Sequence, residues 1–266
     1  MSLLPPIGLG TSGNRDPDQC AESVATAIDL GYEHVDTAQM YDNEAAVGEG
    51  VRRAETDADE VIVATKIHPD NLAYDDVHDT FEDSLDRLEM DRVDLLYVHW
   101  PRSAYDAEET LAAFDELYDD GLIEHVGVSN FTPDLMDEAR DLLDAPISAH
   151  QVEMHPLLPQ EALVADAENH GHHLVAYCPI GRGEILDQPE LVEVAEKHDV
   201  TPAQVSLAWL MEHDPVVPIP KATGEEHLRE NFAAQEFALD EVDVELIDGI
   251  DEERRLIDPD DAAWNR

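Results

Sequence analysis

The chain has 266 residues, with 63 aspartates and glutamates against 15 lysines and arginines, and a formal net charge of −48. A chain of this length can bury a large core, as one α/β barrel or as two ordinary domains. Its negative charge repels phosphate backbones and anionic lipid, which excludes nucleic-acid binding and attachment to membrane surfaces as functions.

Short β-rich runs alternate with helical patterns along the whole chain. The predicted strands are 34–38, 61–66, 95–100, 125–129, 148–153, 173–177, 216–220 and 232–236. The amphipathic segments between them include 18–30, 43–53, 75–89, 106–119, 133–143, 161–170 and 202–212. Eight strands separated by helices favour a (β/α)8 TIM barrel of the α/β class over an open sheet. No linker interrupts the pattern, so we predict a single domain over residues 1–266.

Glycine and proline mark several helix ends in this pattern. Gly31 follows the first helical segment, as a C-cap residue does. Pro133 and Pro202 each follow a threonine, which predicts an N-cap followed by proline in the first turn.

The cellular setting is predicted from segments that the sequence lacks. Residues 1–20 contain no basic segment followed by an apolar run, so we expect no signal peptide. No stretch approaches the roughly 20 apolar residues of a membrane-spanning helix. Cys20 and Cys178 are the two cysteines, and nothing in the sequence pairs them. We therefore expect a reduced, cytoplasmic protein.

The acidic residues are dispersed along the chain, which is typical of the solvated faces of amphipathic helices. Lysine is scarce, since only Lys66, Lys197 and Lys221 are present. High acid with little lysine resembles the cytosolic proteins of salt-accumulating halophilic archaea, with an acidic protein of a mesophile as the alternative. Such a surface needs concentrated counterions to screen its self-repulsion.

Four unlike polar groups follow the first three predicted strands. Asp36, with Tyr41 nearby, Lys66 and His99 lie where a barrel of this type carries its functional side chains. Taken singly, Asp36 could cap a turn, Tyr41 could be a packing residue and His99 could be a core histidine. Lys66 is hardest to explain in this way, because it ends an apolar strand in a lysine-poor chain. The GLG of residues 8–10 does not open a helix, so a Rossmann nucleotide site is not supported.

Eight motifs, in order and at strand ends, resemble those of the aldo-keto reductase family. They are GLGT (8–11), DTAQMYDNEAAVG (36–48), ATK (64–66), VHWP (98–101), GVSNF (127–131), QVEMHP (151–156), AYCPIGRG (176–183) and IPKATGEEHLREN (219–231). The resemblance covers nearly the whole chain. It implies a (β/α)8 barrel that binds NADP(H) or NAD(H) at its C-terminal face and interconverts carbonyls and alcohols.

The resemblance identifies Asp36, Tyr41, Lys66 and His99 as a catalytic tetrad. A free tyrosine has a pKa of about 10 and is a poor acid at neutral pH. We expect the Lys66 ammonium to lower the pKa of Tyr41 and make it the general acid, with Asp36 fixing the lysine. His99 would then donate a hydrogen bond to the substrate oxygen.

The resemblance also implies a set of cofactor contacts. Segment 178–184 would cover the pyrophosphate, and Tyr177 would stack on the nicotinamide ring. Packing is the alternative role for Tyr177, and a turn is the alternative for Ser129 and Asn130. The implied cofactor residues are Ser129, Asn130 and Gln151 at the carboxamide, Tyr177 at the ring, Arg182 at the pyrophosphate, Lys221 and Thr223 at the ribose or its 2′-phosphate, and Glu230 and Asn231 at the adenine.

The 2′-phosphate contacts depart from the family pattern. Ala222 stands where a serine often follows the phosphate-binding lysine, although Thr223 comes next, and His227 replaces an arginine. Arg229 is two positions further on a helix and points elsewhere. NADP(H) is therefore predicted as the preferred cofactor, with NAD(H) left open.

The predicted substrate pocket is less aromatic than is usual in the family. Ser12 stands where a tryptophan often follows the GT motif. Trp100 remains as a pocket wall, and Trp264 in the C-terminal tail could close the pocket. This favours small or polar carbonyl substrates.

Several histidines could suggest a metal site. His150 and His155 are five residues apart on a predicted strand, so they face opposite sides. The run NHGHH of residues 169–173 precedes its strand on the far face of the barrel. We therefore interpret these residues as solvated loop histidines and predict no metal ion.

The predicted function is that of a cytoplasmic, halophilic and monomeric reductase of small aldehydes or ketones, sugars and α-dicarbonyls included, that uses NADPH. One alternative is an NAD-linked sugar or polyol dehydrogenase. The other is a non-catalytic cofactor-binding subunit. Turnover of a reactive aldehyde with NADPH would exclude the subunit, and the ratio of efficiencies with NADPH and NADH would test the dehydrogenase.

Overall fold

A computed structural model describes residues 3–265 and contains one parallel sheet with the strands in sequence order. The strands are β1 (Leu9–Gly10), β2 (His34–Asp36), β3 (Ile62–Ile67), β4 (Val93–Val98), β5 (Ile123–Ser129), β6 (Ile147–Glu153), β7 (His173–Tyr177) and β8 (Val216–Pro218). The sheet closes because the amides of Gly8 and Gly10 donate to the carbonyl oxygens of Pro218 and Pro220, at 3.0 and 3.1 Å. The predicted (β/α)8 barrel is confirmed.

Ten α-helices surround this sheet in the described part of the chain. The seven predicted helical segments are confirmed, with their ends within one residue, and three further helices were not predicted. The helices are α1 (Pro17–Leu30), α2 (Glu44–Arg53), α3 (Tyr74–Leu88), α4 (Ala107–Asp119), α5 (Pro133–Leu142), α6 (Glu161–His170), α7 (Pro189–His198), α8 (Pro202–Glu212), α9 (Glu225–Phe232) and α10 (Glu241–Asp248).

The predicted helix ends have the expected cap geometry. Gly31 ends α1 at a φ of 109°, in the left-handed region that glycine adopts without steric cost. The side chains of Thr132 and Thr201 accept backbone amides of α5 and α8, and Pro133 and Pro202 follow in the first turn.

The prediction of a strand at 232–236 is wrong. This segment completes α9 and continues as a 3₁₀ turn, with the Phe232 ring 4.9 Å from that of Tyr32. A short apolar run cannot be assigned to strand or helix by periodicity alone. The missing strand is β1, at the start of the chain, where a β-carbon on Gly10 would lie only 2.6 Å from the Ile219 carbonyl oxygen. The predicted tetrad therefore follows the second to fourth strands.

The core has two parts. Side chains that include Leu95, Tyr97 and Val175 fill the barrel interior, and a larger apolar layer lies between the strands and the helices. The interior is packed, as in other barrels of this type, so the loops at the C-terminal ends of the strands are left to form the site. No helix in residues 3–265 is long and apolar enough to cross a membrane.

Candidate active site

The four predicted catalytic side chains meet at the C-terminal end of the barrel. Asp36 ends β2, Tyr41 lies in the 3₁₀ turn Gln39–Tyr41, Lys66 is on β3 and His99 follows β4. Lys66 Nζ donates to Asp36 Oδ1, to the Thr37 carbonyl oxygen at 2.8 Å and to Tyr41 Oη at 3.4 Å. The rings of Tyr41 and His99 pack edge to face with their centroids 5.7 Å apart.

Burial and charge act on the titration of these groups in different directions. Burial lowers the pKa of Lys66, but Asp36 and Tyr41 raise it by more, so the ammonium form is stabilised. Burial raises the pKa of Tyr41, and the opposing effect of the Lys66 ammonium is smaller. Lys66 therefore lowers the Tyr41 pKa as expected, but burial outweighs this effect. Burial, reinforced by Lys66, holds the pKa of His99 well below its usual range, so its imidazole is neutral.

The residues predicted at the nicotinamide form one hydrogen-bonded network beside the tetrad. Tyr177 Oη donates to Asn130 Oδ1 at 2.8 Å, and Asn130 Nδ2 donates to the His99 carbonyl oxygen at 3.0 Å. Ser129 Oγ donates to the Gln151 carbonyl oxygen at 2.9 Å. The structure brings these four residues together, with Asn130 held at a φ of 63°.

Gln151 connects this network to the tetrad. Its Nε2 donates to Asp36 Oδ2 at 2.7 Å, while Lys66 donates to the other carboxylate oxygen. Both oxygens of the buried Asp36 carboxylate are thus engaged, which offsets the cost of burying its charge. This hydrogen bond also orients the Gln151 amide.

The residues predicted at the pyrophosphate and adenosine lie around the ends of β7 and β8. The side chains of Lys66 and Lys197 form ion pairs, whereas Lys221 forms none within the described residues. Arg182 is exposed and contacts the Cys178 thiol. In a chain of charge −48, cations left without carboxylate partners fit the phosphate groups of a dinucleotide.

The residues predicted to contact the adenosine of the cofactor are less fixed by hydrogen bonds than those predicted at the nicotinamide. His227 is 72% exposed at its side chain and lies 3.2 Å from Glu230 Oε2. Arg229, two positions further along α9, is paired with Glu225 Oε1 at 2.7 Å. Asn231 is buried at the end of α9, and Thr223 is half-buried.

The predicted pocket residues Trp100 and Trp264 are in contact. Their ring centroids are 5.6 Å apart, and Trp264 Nε1 donates to Asp258 Oδ1 at 2.8 Å. Arg102 lies over Trp100 and Arg255 over Trp264, at 4.9 and 4.2 Å from the ring centroids. The C-terminal segment therefore contributes an aromatic wall at the mouth of the barrel.

Two buried glutamates were missed by the sequence analysis. Glu44 of α2 accepts hydrogen bonds from Thr65 Oγ1 at 2.5 Å and from Arg87 Nε at 2.8 Å, which ties α3 to the strand that carries Lys66. Glu153 ends β6 and is fully buried. It lies two residues after Gln151 and so on the same face of the strand. This spacing could have identified Glu153 from the sequence.

The histidines interpreted as solvated loop residues are mostly buried. His150, His155 and His172 have at most 2% of their surface exposed, whereas His170 is exposed. His155 also lies outside β6, so strand alternation does not apply to it. Burial lowers the pKa of His150 and His172, so these two imidazoles stay neutral and need no solvation. No group of potential metal ligands is found in residues 3–265.

Comparison with known proteins gives a consistent result. The model of the aldo/keto reductase family matches residues 6–252. The chain is 39% identical over 263 residues to methylglyoxal reductase DkgB of Escherichia coli O157:H7, covering 98% of each chain. It is 36% identical over 256 residues to glyoxal reductase of Bacillus subtilis strain 168, covering 95% of this chain and 91% of the other. The crystal structure of MGS-M4, an aldo-keto reductase from a Medee basin deep-sea metagenome library, has a TM-score of 0.91 at 30% identity, covering 97% of this chain and 95% of the other.

Proposed function

Because this chain belongs to the aldo/keto reductase family and is an oxidoreductase that reduces carbonyl groups, we propose that its substrates are small aldehydes and α-dicarbonyls. The similarity to proteins named methylglyoxal reductase and glyoxal reductase supports this substrate class. Ser12 supports it as well, because it stands where the family often has a tryptophan, so the pocket is expected to be less aromatic.

Tyr41 is the general acid in this proposal. When bound, the nicotinamide supplies the hydride for the carbonyl carbon, and Tyr41 Oη supplies the proton for the oxygen. Lys66 lies 3.4 Å from Tyr41 Oη and stabilises the phenolate that proton transfer leaves. Asp36 keeps that ammonium in place. His99, as a neutral imidazole, donates a hydrogen bond to the same substrate oxygen.

The cofactor residues follow the same proposal. Ser129, Asn130 and Gln151 bind the carboxamide, and Tyr177 packs on the ring. Arg182 binds the pyrophosphate, Lys221 and Thr223 contact the ribose or its 2′-phosphate, and Glu230 and Asn231 contact the adenine.

NADPH is the preferred cofactor in this proposal, and the unpaired Lys221 carries that preference. Ala222 and His227 weaken the phosphate site, so we expect measurable turnover with NADH as well. Trp100 and Trp264 form the wall of the substrate pocket.

The setting of the enzyme is proposed from its composition. The uninterrupted barrel supports a single domain over residues 1–266. The 63 acidic residues with three lysines support a monomer in the cytoplasm of a salt-accumulating halophilic archaeon. A strongly negative surface opposes self-association and stays soluble in concentrated salt.

The buried contact of Lys66 with Asp36 and Tyr41, beside a neutral His99, is the observation that carries the proposed mechanism. It is tested by following nucleotide oxidation with methylglyoxal and NADPH, and then with NADH, in molar KCl. We expect turnover with both and higher kcat/KM with NADPH. Faster turnover of polyols with NAD+ than of any aldehyde with NADPH would instead support the sugar or polyol dehydrogenase.

A further inference from the structure

The C-terminal segment 254–265 spans the mouth of the barrel from the end of β6 to the end of β4. At the β4 side, Trp264 packs on Trp100, and Arg102 forms an ion pair with Asp261. At the β6 side, the attachment is made by backbone amides of the segment. The Arg254 side chain also lies 3.7 Å from Glu184 Oε2, after β7. The segment is thus held at both ends, and the aromatic contact lies at the proposed substrate pocket.

The attachment at β6 is centred on the Glu153 carboxylate. Its Oε1 accepts the amide of Leu256 at 2.6 Å, and its Oε2 accepts the amide of Ile257 at 2.7 Å. A third hydrogen bond, of 3.1 Å, joins Oε1 to His155 Nε2. Arg254 adds a backbone bond to the Leu157 carbonyl oxygen at 2.7 Å.

This arrangement requires an ionised carboxylate. Glu153 has no exposed side-chain surface, and a buried charge is costly unless donors surround it. Burial raises the pKa of Glu153, but the donors from His155, Leu256 and Ile257 lower it by more. Both oxygens accept hydrogen bonds, and a neutral amide at this position could not accept at both.

Glu153 is also next to the proposed nicotinamide site. It lies two residues after Gln151 on β6, so the two side chains leave the strand on the same face. In the β6–β7 ladder, Glu153 is the direct partner of Tyr177. One strand therefore carries a proposed carboxamide ligand and the attachment point of the C-terminal segment.

We propose that Glu153 is a positioning residue that fixes the C-terminal segment and so holds Trp264 against Trp100 at the substrate pocket. This inference rests on the proposed function for its effect on substrate. The attachment itself can be measured without turnover.

The test compares Glu153→Gln with Glu253→Gln, which makes the same change at an exposed position directly before the segment. Hydrogen exchange of the 254–258 amides is measured in both, together with Kd for NADPH and KM and kcat for methylglyoxal. In Glu153→Gln we expect exchange to rise about tenfold or more and KM to rise about tenfold, since hydrogen bonds to a charged group are lost. The Kd for NADPH and the kcat should change little, and Glu253→Gln should resemble the unmodified protein.

A double variant separates positioning from a general loss of structure. If Glu153 acts through Trp264, the KM effect of Glu153→Gln disappears in a Trp264→Ala background. If Glu153→Gln does not fold, Ile257→Pro removes one amide donor from the segment and leaves the core intact. For that variant we expect the same rise in exchange and KM.

Three results would overturn the inference. Unchanged exchange would show that Glu153 does not hold the segment. Raised exchange with unchanged KM would show that the attachment does not shape the pocket. An additive KM effect in the double variant would show that Glu153 acts by another route. If the unmodified protein does not reduce carbonyls, the proposed function fails while the exchange result still reports on the attachment.

Discussion

Burial and the neighbouring Lys66 charge have different effects on Tyr41 as a proton donor. Burial raises the pKa of its phenol, so the side chain remains protonated and ready to donate at neutral pH. The Lys66 ammonium opposes this rise, and its main effect is on the phenolate formed when the proton leaves. Loss of the Tyr41 proton should therefore leave reduction intact through neutral pH and decrease it on the alkaline side.

Replacing Tyr41 with phenylalanine should remove nearly all carbonyl reduction. The substitution keeps the ring and its packing on His99 and deletes only the donor, and a positioned acid contributes about 10²–10⁴-fold. The measurements are kcat with methylglyoxal and NADPH, and Kd for NADPH as the control, which should be almost unchanged. A variant that keeps more than about a tenth of the turnover would show that Tyr41 is not the acid.

His227 should decide how strongly the 2′-phosphate is recognised. It is exposed on α9 and makes a single contact, with Glu230, so His227→Arg should fold normally and offer a bidentate guanidinium. We expect the ratio of kcat/KM for NADPH over NADH to increase in this variant and to fall in Lys221→Ala. If neither variant changes the ratio, the 2′-position is recognised elsewhere.

At the scale of elements, segments with a clear period and clear end signals could be predicted from the sequence. Strands β2 to β7 are apolar runs bounded by turn residues, and α1, α5 and α8 carry cap or proline signals at their ends. β1 could not be predicted, because two residues give no period and its pairing is with residues far along the chain. The short helices α9 and α10 bury only two residues each, which leaves too few apolar positions to define a face.

The site residues could be predicted from the sequence where a functional side chain lies at or just after the end of a strand. Asp36, Lys66 and His99 each end or follow a strand, so the barrel geometry alone brings them together. The contacts of Glu44 and Glu153 could not be predicted in the same way. Their partners are up to 43 and 104 residues away in sequence, and no local pattern records such a pairing.

The contact between α2 and α3 should not tolerate a larger residue at Gly48. A β-carbon there would lie 2.1 Å from the Leu88 carbonyl oxygen, which also accepts Arg52 Nη1 at 2.9 Å. Because the obstacle is backbone, the helices must move apart, and overpacking of this kind costs about 1–3 kcal/mol. Gly48→Ala should therefore melt several degrees lower.

The matched control for that prediction is Gly224→Ala. A β-carbon at Gly224 meets nothing within 4 Å, and its φ of −107° is open to alanine. Thermal melts of both variants in the same KCl buffer make the comparison. Equal melting temperatures would mean that α2 and α3 separate without cost.

Across the whole molecule, buried histidines should make the fold sensitive to mild acid. Burial lowers the pKa of His34 and His172 to about 4 and that of His150 to about 3. An unfolded histidine has a pKa of about 6.5, so below this value the unfolded chain binds more protons than the native one. Stability is therefore independent of these groups above pH 6.5 and falls as pH drops from about 6.5 toward 4. Each contributes on the order of 3 kcal/mol over that window.

His150→Leu tests this pH dependence. Leucine cannot titrate, so the loss of unfolding free energy between about pH 6.5 and 5 should be smaller than in the unmodified protein. His227→Leu makes the same replacement at an exposed histidine and is the matched control. The measurement is denaturant unfolding at several pH values in constant molar KCl. An unaltered slope for His150→Leu would mean that its imidazole is protonated in the native state.

The acidic surface should make stability depend on salt. The 63 carboxylates repel each other in the folded state, and 15 lysines and arginines are too few to pair them. Unfolding moves these charges apart, so low ionic strength favours the unfolded chain. Added KCl shortens the Debye length to about 3 Å at 1 M and removes this penalty, and excluded salts also strengthen apolar burial.

The melting temperature should therefore rise from about 0.1 to 3 M KCl. Screening should saturate by a few tenths molar, and the burial effect should continue above it. A flat or falling curve would reject the halophilic setting and leave the reductase assignment intact.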